Sequence, residues 1–312
     1  MKVYSAEEIR ARITPSQMVE ALREGFRQDI ISPLRHNDEV ADTQQGPHNL
    51  LTMPSWIVGG YGCVKLVNIV PGNRSRNLPS VMSSVLLFSA ETGQHFALLD
   101  GEEVTAFRTA CASALAADYL ARPGADSLLV VGAGAVGSRL PSAYAAVRDL
   151  RRIGLWNRNP GSSKRLATTL SDQGYTVEVF TDLEEAVGRH DIISCATLSE
   201  EPLVRGAWMR NGQHLDLIGS FVPTMREADH EAVRRAEVYV DSPAAIVESG
   251  DIAAPISAGF LSRDAIRGDL SDLCRGHLPG RTSASGITLF KSVGIGSEDL
   301  AAAMLIHRQM AG

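Results

Sequence analysis

Residues 132 to 137 have a spacing and a setting that favour dinucleotide binding. They read Gly132-Ala133-Gly134-Ala135-Val136-Gly137, a GxGxxG pattern. The apolar stretch Ser127 to Val131 precedes them and a helical stretch follows. In this setting the first glycine permits a tight turn, the second lets the backbone approach a pyrophosphate, and the third allows close helix packing. We predict that these residues bind a dinucleotide; a purely structural glycine-rich turn is the alternative.

The end of the second predicted strand favours NADPH over NADH. An NAD site usually places an acidic residue about 20 residues after the glycines, where it holds the ribose hydroxyls. This chain instead has Asn157 and Arg158. No carboxylate there repels a 2′-phosphate, and Arg158 can pair with that phosphate or stack on the adenine. We predict that both residues contact the cofactor, that NADPH is preferred and that NADH is also used. A solvated surface Arg158 is the alternative.

Three basic residues stand in settings unlike an ordinary charged surface. Arg35 follows Pro33, Lys65 lies within the apolar stretch VKLVNIV, and Arg108 lies within TAFRTACASALAA. An interior Lys65 amine is desolvated, which favours its neutral form and suits it to proton transfer. The alternative is a lysine on the exposed side of a half-buried strand.

Length and composition place these motifs in a two-domain protein. The chain has 312 residues, about twice a typical domain, so two domains that share one active cleft are expected. The formal charge of −6 disfavours nucleic acid or an anionic membrane as the main partner. The first residues lack the apolar core of a secretion signal, and no apolar run approaches the roughly 18 residues that cross a bilayer. A cytoplasmic location is expected. The scattered cysteines, histidines and carboxylates show no ligand spacing, so no metal site is expected.

Two patterns divide the chain. The first part predicts a helix from Ser5 to Gln28, an irregular segment with Pro33, Arg35 and His48, strand-like runs that begin at Tyr61, Ser80 and His95, and a helix from Thr105 to Leu120. From Ser127 to Asp241, six short apolar strands alternate with helices, the pattern of a parallel doubly wound sheet. A further strand within GITLFKSVGIG and a terminal helix from Glu298 follow.

The predicted fold class is therefore α/β. A Rossmann-type doubly wound parallel sheet is expected over residues 118–295. A second, α+β domain for substrate binding and dimerisation is expected over residues 1–117 and 296–312.

Further motifs accompany the basic residues and the glycine loop in a fixed order. They are Pro33-x-Arg35, Gly62 with Lys65 and Val67, Pro71-Gly72-Asn73, Thr105 with Arg108, Thr109 and Ser113, Ala196-Thr197, Gly219 with Pro223 and Glu227, and Phe290-Lys291-Ser292-Val293-Gly294. In this order they resemble the ornithine cyclodeaminase and mu-crystallin family over nearly the whole chain. Several motifs in one order are more specific than any one alone.

The resemblance implies roles for the basic residues. Arg35 and Arg108 would hold the carboxylate of the substrate, and Lys65 would contact that carboxylate or the reacting nitrogen. Two guanidinium groups fix a carboxylate in one orientation. Lys65, or a water that it orients, can then protonate an imine nitrogen as a hydride reaches the carbon.

The resemblance also implies cofactor contacts and an assembly. Thr109, Thr197 and Val293 would contact the cofactor. Family members usually dimerise through the strand-rich domain, and the apolar stretch from Ser80 to Leu99 supplies a surface for a homodimer.

One position departs from the cyclodeaminating members of the family. Those members carry an aspartate where this chain has Phe221, and the loss of a positioned acid or base commonly costs about 100- to 10,000-fold in rate. An aromatic ring suits an apolar substrate ring, such as that of Δ1-pyrroline-2-carboxylate or Δ1-piperideine-2-carboxylate. We predict that Phe221 contacts the substrate; a core residue beside the sheet is the alternative.

The sequence therefore predicts an NADPH-dependent reductase of a small cyclic imino acid. Reduction of Δ1-pyrroline-2-carboxylate to L-proline is the leading reaction, with formation of L-pipecolate close behind. The enzymatic alternatives are another amino-acid dehydrogenase and an ornithine cyclodeaminase-type enzyme. An alternative of a different class is a non-enzymatic, NADPH-binding crystallin-like protein.

Overall fold

The computed structural model describes residues 1–43 and 46–311 and divides into two compact units. Unit 1 consists of Met1–Arg108 and Ile295–Gly312, and unit 2 consists of Thr109–Gly294. The first boundary therefore lies within one continuous helix, nine residues before the expected boundary at residue 117. None of the helices in the described ranges is long and apolar enough to span a bilayer.

Unit 1 is built on a mixed sheet. Its strands are β1 (Lys2–Tyr4), β2 (His36–Thr43), β3 (Gly46–Trp56), β4 (Tyr61–Ile69), β5 (Val81–Ser89) and β6 (His95–Asp100). Among the described residues the order is β1-β6-β5-β4-β3-β2, with β1 parallel to β6 and the other neighbours antiparallel.

The segment expected to be irregular, around Arg35 and His48, is in fact largely two strands of this sheet. Arg35 immediately precedes β2, and His48 lies within β3. Edge strand β2 reads HNDEVADT, and the side chains from His36 to Val40 are exposed. A strand whose described side chains are exposed lacks the apolar alternation that predicts a strand, so the sequence pattern did not reveal it.

The expected N-terminal helix is interrupted. The structure has α1 (Ala6–Arg12) and α2 (Pro15–Arg27) in place of one helix from Ser5 to Gln28. Thr14 Oγ1 accepts the Gln17 N–H at 3.3 Å, and Gln17 Oε1 accepts the Thr14 N–H at 2.9 Å. This reciprocal cap begins a new helix, and Pro15 suits its first position because its missing N–H is not needed there.

Two further helices complete unit 1. They are the first part of α3 (Gly101–Leu120) and the terminal α11 (Gly296–Ala311). Helix α11 packs against α2 and against β3, β4 and β5, so it covers one face of the sheet. A Cβ atom added to Gly25 of α2 would lie 2.7 Å from Cβ of Ala301, which shows how closely the two helices cross.

Unit 2 contains the expected doubly wound sheet. Its strands are β7 (Ser127–Val131), β8 (Arg152–Trp156), β9 (Val177–Val179), β10 (Ile192–Cys195), β11 (His214–Leu217), β12 (Ala236–Val240), β13 (Ile266–Asp269) and β14 (Ile287–Lys291). In the described part of the chain they pair in parallel, in the order β13-β12-β14-β11-β10-β7-β8-β9. From β7 the chain continues to β8 and β9 on one side and then returns to β10 on the other side of β7. The strand order therefore reverses between β7 and β10. Ligands of open parallel sheets bind at such a point, beyond the carboxyl ends of the strands.

The helices of unit 2 connect these strands. They are the rest of α3, α4 (Leu140–Ala145), α5 (Pro160–Asp172), α6 (Leu183–Arg189), α7 (His230–Arg235), α8 (Ala245–Glu248), α9 (Gly250–Ser257) and α10 (Leu270–Cys274). The sheet has fully buried apolar side chains, among them Leu129, Ile193, Leu215 and Leu289. Burial of each such side chain stabilises the fold by about 1.5–3 kcal/mol.

The predicted α/β class and the strands between Ser127 and Lys291 are confirmed, with one omission. Strand β13 was missed because its sequence, IRGD, has a single apolar residue and lies at the edge of the sheet.

Candidate functional site

A buried cluster of charges in unit 1 joins two of the predicted site residues. Lys65 Nζ donates to Asp299 Oδ1 at 3.0 Å and lies 2.9 Å from Oδ2. Arg108 Nε donates to the same Oδ1 at 3.0 Å, and Arg108 Nη1 donates to Glu298 Oε2. The four residues are at most 3% exposed. The structure thus brings Lys65 and Arg108 onto one carboxylate.

Three elements position this cluster. Lys65 lies on the side of β4 that faces α11, and Arg108 projects from α3. Glu298 and Asp299 occupy the first turn of α11, where the helix dipole stabilises negative charge. Because a buried charge without a partner is very costly, the two cations and the two carboxylates require one another.

Burial controls the protonation of Lys65. Desolvation lowers the pKa of Lys65 to about 8; Asp299 opposes that effect, while Arg108 and Arg35 add to it. Burial by itself raises the pKa of Asp299, but Lys65 and Arg108 outweigh it and hold that pKa below its usual value. Lys65 is therefore protonated near neutral pH and yet gives up its proton more readily than an exposed lysine.

Arg35 lies near enough to Lys65 to influence it. The guanidinium of Arg35 is one of the charges that lower the Lys65 pKa, and its side chain is half-buried beside the start of β2. The three predicted basic residues therefore belong to one electrostatic neighbourhood within unit 1.

The sequence interpretation missed Glu298 and Asp299. Their signal was indirect, because both stand at the start of a helix that continues with the apolar run LAAAMLI. Two basic residues at interior positions require acidic partners, and acidic residues at the start of an otherwise apolar helix are suitable candidates.

The glycine loop of unit 2 has the steric properties that a pyrophosphate cradle needs. Gly132 has a φ of +109°, and an added Cβ would lie 2.5 Å from the Ala196 carbonyl oxygen. An added Cβ on Gly137 would overlap the Gly132 carbonyl oxygen, whereas one on Gly134 would meet no atom within 4 Å. The first and third glycines are therefore required by the turn, and the second leaves its backbone open to a ligand.

The residues after β8 lie beside this loop. Asn157 Oδ1 accepts the Ala133 N–H at 3.2 Å, which ties the loop to the end of β8. Arg158 is exposed, and its Nη2 donates to Ser199 Oγ at 3.3 Å. The guanidinium therefore lies at the carboxyl edge of the parallel sheet.

The remaining predicted residues lie in different settings of unit 2. Thr109 is buried in α3, and Thr197 follows β10. Val293 follows β14, and its N–H donates to Asp241 Oδ2 at 2.7 Å. Phe221 is half-buried and packs against a small apolar cluster that includes Val293. Its contact with substrate stays a prediction.

The whole sequence, residues 1–312, matches the ornithine cyclodeaminase/mu-crystallin family. The chain belongs to this family. The resemblance inferred from the ordered motifs is thereby confirmed.

Several known enzymes are similar to this chain over nearly its whole length. The Δ1-pyrroline-2-carboxylate reductase of Paracoccus denitrificans is 38% identical over 306 residues, which cover 96% of this chain and 94% of that protein. The Thermococcus litoralis Δ1-pyrroline-2-carboxylate reductase, solved with NADH and L-proline, is 32% identical with a TM-score of 0.94 and covers 100% of this chain and 98% of that chain. An archaeal alanine dehydrogenase dimer with bound NAD is 28% identical with a TM-score of 0.92. The match covers 100% of this chain and 96% of that chain. The two solved structures share the α/β architecture described above.

Proposed function

We propose that this chain is an NAD(P)H-dependent reductase of cyclic imino acids that converts Δ1-pyrroline-2-carboxylate to L-proline, with Δ1-piperideine-2-carboxylate as a second substrate. The observation that carries the proposal is the buried arrangement of Lys65 and Arg108 on Asp299, with Arg35 nearby. It supplies fixed cations for a carboxylate and one amine with a lowered pKa. The two reductases among the relatives support the same reaction.

The charge balance of the cluster suits an anionic substrate. Lys65 and Arg108 are paired with Glu298 and Asp299, and Arg35 lies near Lys65, so these five groups have one net positive charge when Lys65 is protonated. An incoming carboxylate neutralises that charge. Arg35 and Arg108 bind its oxygens and thereby fix the orientation of the adjacent C=N bond.

Lys65 is the proton donor in this proposal. The glycine loop would hold the dinucleotide, which would supply the hydride for this reduction. Lys65 Nζ gives its proton to the imine nitrogen, so that C=N becomes CH–NH and the lysine becomes neutral. Burial favours that neutral amine, and the lowered pKa matches the group to proton transfer near neutral pH. A proton from solvent then restores the ammonium.

Phe221 disfavours the deamination of ornithine by this chain. That position has no acidic group to take a proton from the distal amine of ornithine. A phenyl ring beside the apolar cluster around Val293 is compatible with a substrate ring that has no distal amine.

The assay follows the oxidation of NADPH by its absorbance at 340 nm, with each imino acid as substrate. It compares the wild type with Lys65→Met and Arg108→Met. We expect turnover by the wild type and a loss of roughly 100- to 10,000-fold in kcat/KM for Lys65→Met, because the proton donor is gone. Val58→Met, at a 79% exposed position in a turn, is the control and should match the wild type. The activity should appear in the cytosolic fraction of cells.

Dinucleotide oxidation with pyruvate and ammonia, without turnover of either imino acid, would contradict the reductase proposal and indicate an alanine dehydrogenase. Activity only in a membrane or secreted fraction would contradict the cytoplasmic assignment.

NADPH is the proposed preferred cofactor, because Arg158 rather than a carboxylate follows β8. Arg158→Ala should lower kcat/KM for NADPH by roughly 10- to 100-fold and leave NADH nearly unchanged, since only NADPH has a 2′-phosphate. Arg151→Ala is the control, because it removes an equal, 71% exposed charge at the opposite end of the same strand. An equal loss of kcat/KM with NADPH and NADH would contradict the assignment of Arg158 to the 2′-phosphate.

We also propose a homodimer formed by the face of the unit 1 sheet that points away from α11. Leu66 and Met82, on that face of β4 and β5, are 43% and 36% exposed. Single exposed apolar residues are ordinary, but neighbouring ones on one sheet face indicate an interface. The dimeric alanine dehydrogenase supports the same assembly.

Light scattering after gel filtration tests the dimer. The wild type should have twice the chain mass of 33.5 kDa. Leu66→Glu should give the monomer, because it places a charge within the apolar face. Val58→Glu, in the turn before β4, should stay dimeric; a monomeric wild type would contradict the proposal.

A further inference from the structure

Glu227 is a fully buried carboxylate that links two loops of unit 2. Its Oε1 accepts the Thr197 N–H at 2.7 Å and the Thr197 hydroxyl at 2.8 Å. Its Oε2 accepts the Gly219 N–H at 2.6 Å. Glu227 is 0% exposed, so these donors replace the water that a carboxylate normally binds.

The loops that Glu227 links lie at the edge of the sheet where a cofactor binds. Thr197 stands two residues beyond the end of β10, and Gly219 stands two residues beyond the end of the neighbouring β11. Both positions are at the carboxyl ends of parallel strands, beside the point where the strand order reverses.

The loop after β11 packs in close contact with the loop after β10. An added Cβ on Gly219 would overlap the Thr197 carbonyl oxygen and lie 2.6 Å from Glu227 Oε1. The glycine loop packs against the same segment after β10, because an added Cβ on Gly132 would lie 2.5 Å from the Ala196 carbonyl oxygen. A shift of the Glu227 carboxylate would therefore move the segment against which the glycine loop packs.

Two further buried charged residues, Asp251 and Lys291, help to fix the position of Glu227. Asp251 Oδ1 accepts the Glu227 N–H at 2.8 Å and the Ala228 N–H at 3.1 Å. Lys291 Nζ donates to the Leu217 carbonyl at 3.0 Å and lies 3.7 Å from Asp251 Oδ2. Burial, with a contribution from Asp251, raises the pKa of Glu227 above its usual value, although Lys291 and the N–H donors oppose that rise. Hydrogen bonds among buried polar groups make the segments that they join more rigid.

We propose that Glu227 is a positioning residue for the dinucleotide, which fixes the loops after β10 and β11 in the arrangement that receives its nicotinamide half. The inference rests on the proposed use of NAD(P)H. Glu227 touches neither substrate nor cofactor in this account; it acts through Thr197 and Gly219.

The test compares Glu227→Gln with the wild type in the full-length protein. The glutamine keeps the shape but places an NH2 group against an N–H donor, so one of the loops loses its acceptor. We expect the Kd for NADPH, measured by its fluorescence without imino acid, to rise roughly 10- to 100-fold. The primary deuterium isotope effect on kcat with 4-deuterated NADPH should rise, because a displaced nicotinamide makes hydride transfer rate-limiting. Glu231→Gln, at the surface four residues later, is the control and should change neither value.

A lowered Tm with unchanged Kd and isotope effect would overturn the proposal and leave Glu227 as a structural brace. If Glu227→Gln does not fold, Glu227→Asp keeps the charge but is one methylene too short to reach both loops, and the same two measurements apply to it. A wild type that binds no dinucleotide overturns this inference and the cofactor proposal together. A wild type that binds NADPH but reduces no imino acid contradicts only the reductase proposal, because the Kd comparison is independent of the imino acid.

Discussion

The proposed chemistry of unit 1 depends on the ion pairs of Asp299 with Lys65 and Arg108. They join β4, α3 and α11, which are far apart in the sequence, at one buried carboxylate. Loss of that carboxylate would remove the acidic partner of Lys65, while Arg108 would keep Glu298. Removal of one partner of a buried ion pair typically costs about 3–5 kcal/mol of stability. The same burial lowers the pKa of Lys65 toward neutrality. Stability and reactivity therefore have a common origin, and the last helix of the chain is as necessary to the site as the strand that bears the lysine.

Backbone turns and buried carboxylates together set the geometry of the loops in unit 2. The glycine loop turns tightly at Gly132, leaves Gly134 open and packs against the segment after β10. Buried carboxylates of Glu227, Asp251 and Asp241 accept backbone N–H groups near the carboxyl ends of the strands. Each carboxylate fixes a loop that has no regular secondary structure of its own. These carboxylates hold loops at the edge where doubly wound sheets bind their ligands.

Local sequence was sufficient for the strands of the parallel sheet other than β13 and for the interior position of Lys65, but not for the acidic partners of Lys65 and Arg108. Short apolar strands and the GxGxxG spacing are local signals, and they identified β7 to β12 correctly. The break at Thr14 was also a local signal, a capping box before Pro15, but the amphipathic pattern on both sides concealed it. Asp299 was not predictable in this way, because it lies 234 residues from Lys65 and only the fold brings them together. The three-way contact of Glu227 likewise depends on the register of two neighbouring strands.

The most direct test of the Lys65 mechanism is the pH dependence of kcat/KM for Δ1-pyrroline-2-carboxylate. Lys65 must be protonated to act as the donor, so the wild-type value should fall as the pH rises through about 8, where the lysine loses its proton. Asp299 raises the pKa of Lys65, so Asp299→Asn should move that fall to lower pH. Glu298→Gln, which alters the partner of Arg108 rather than that of Lys65, should leave the fall at the wild-type pH. An Asp299→Asn profile that coincides with the wild type, or moves to higher pH, would contradict the account.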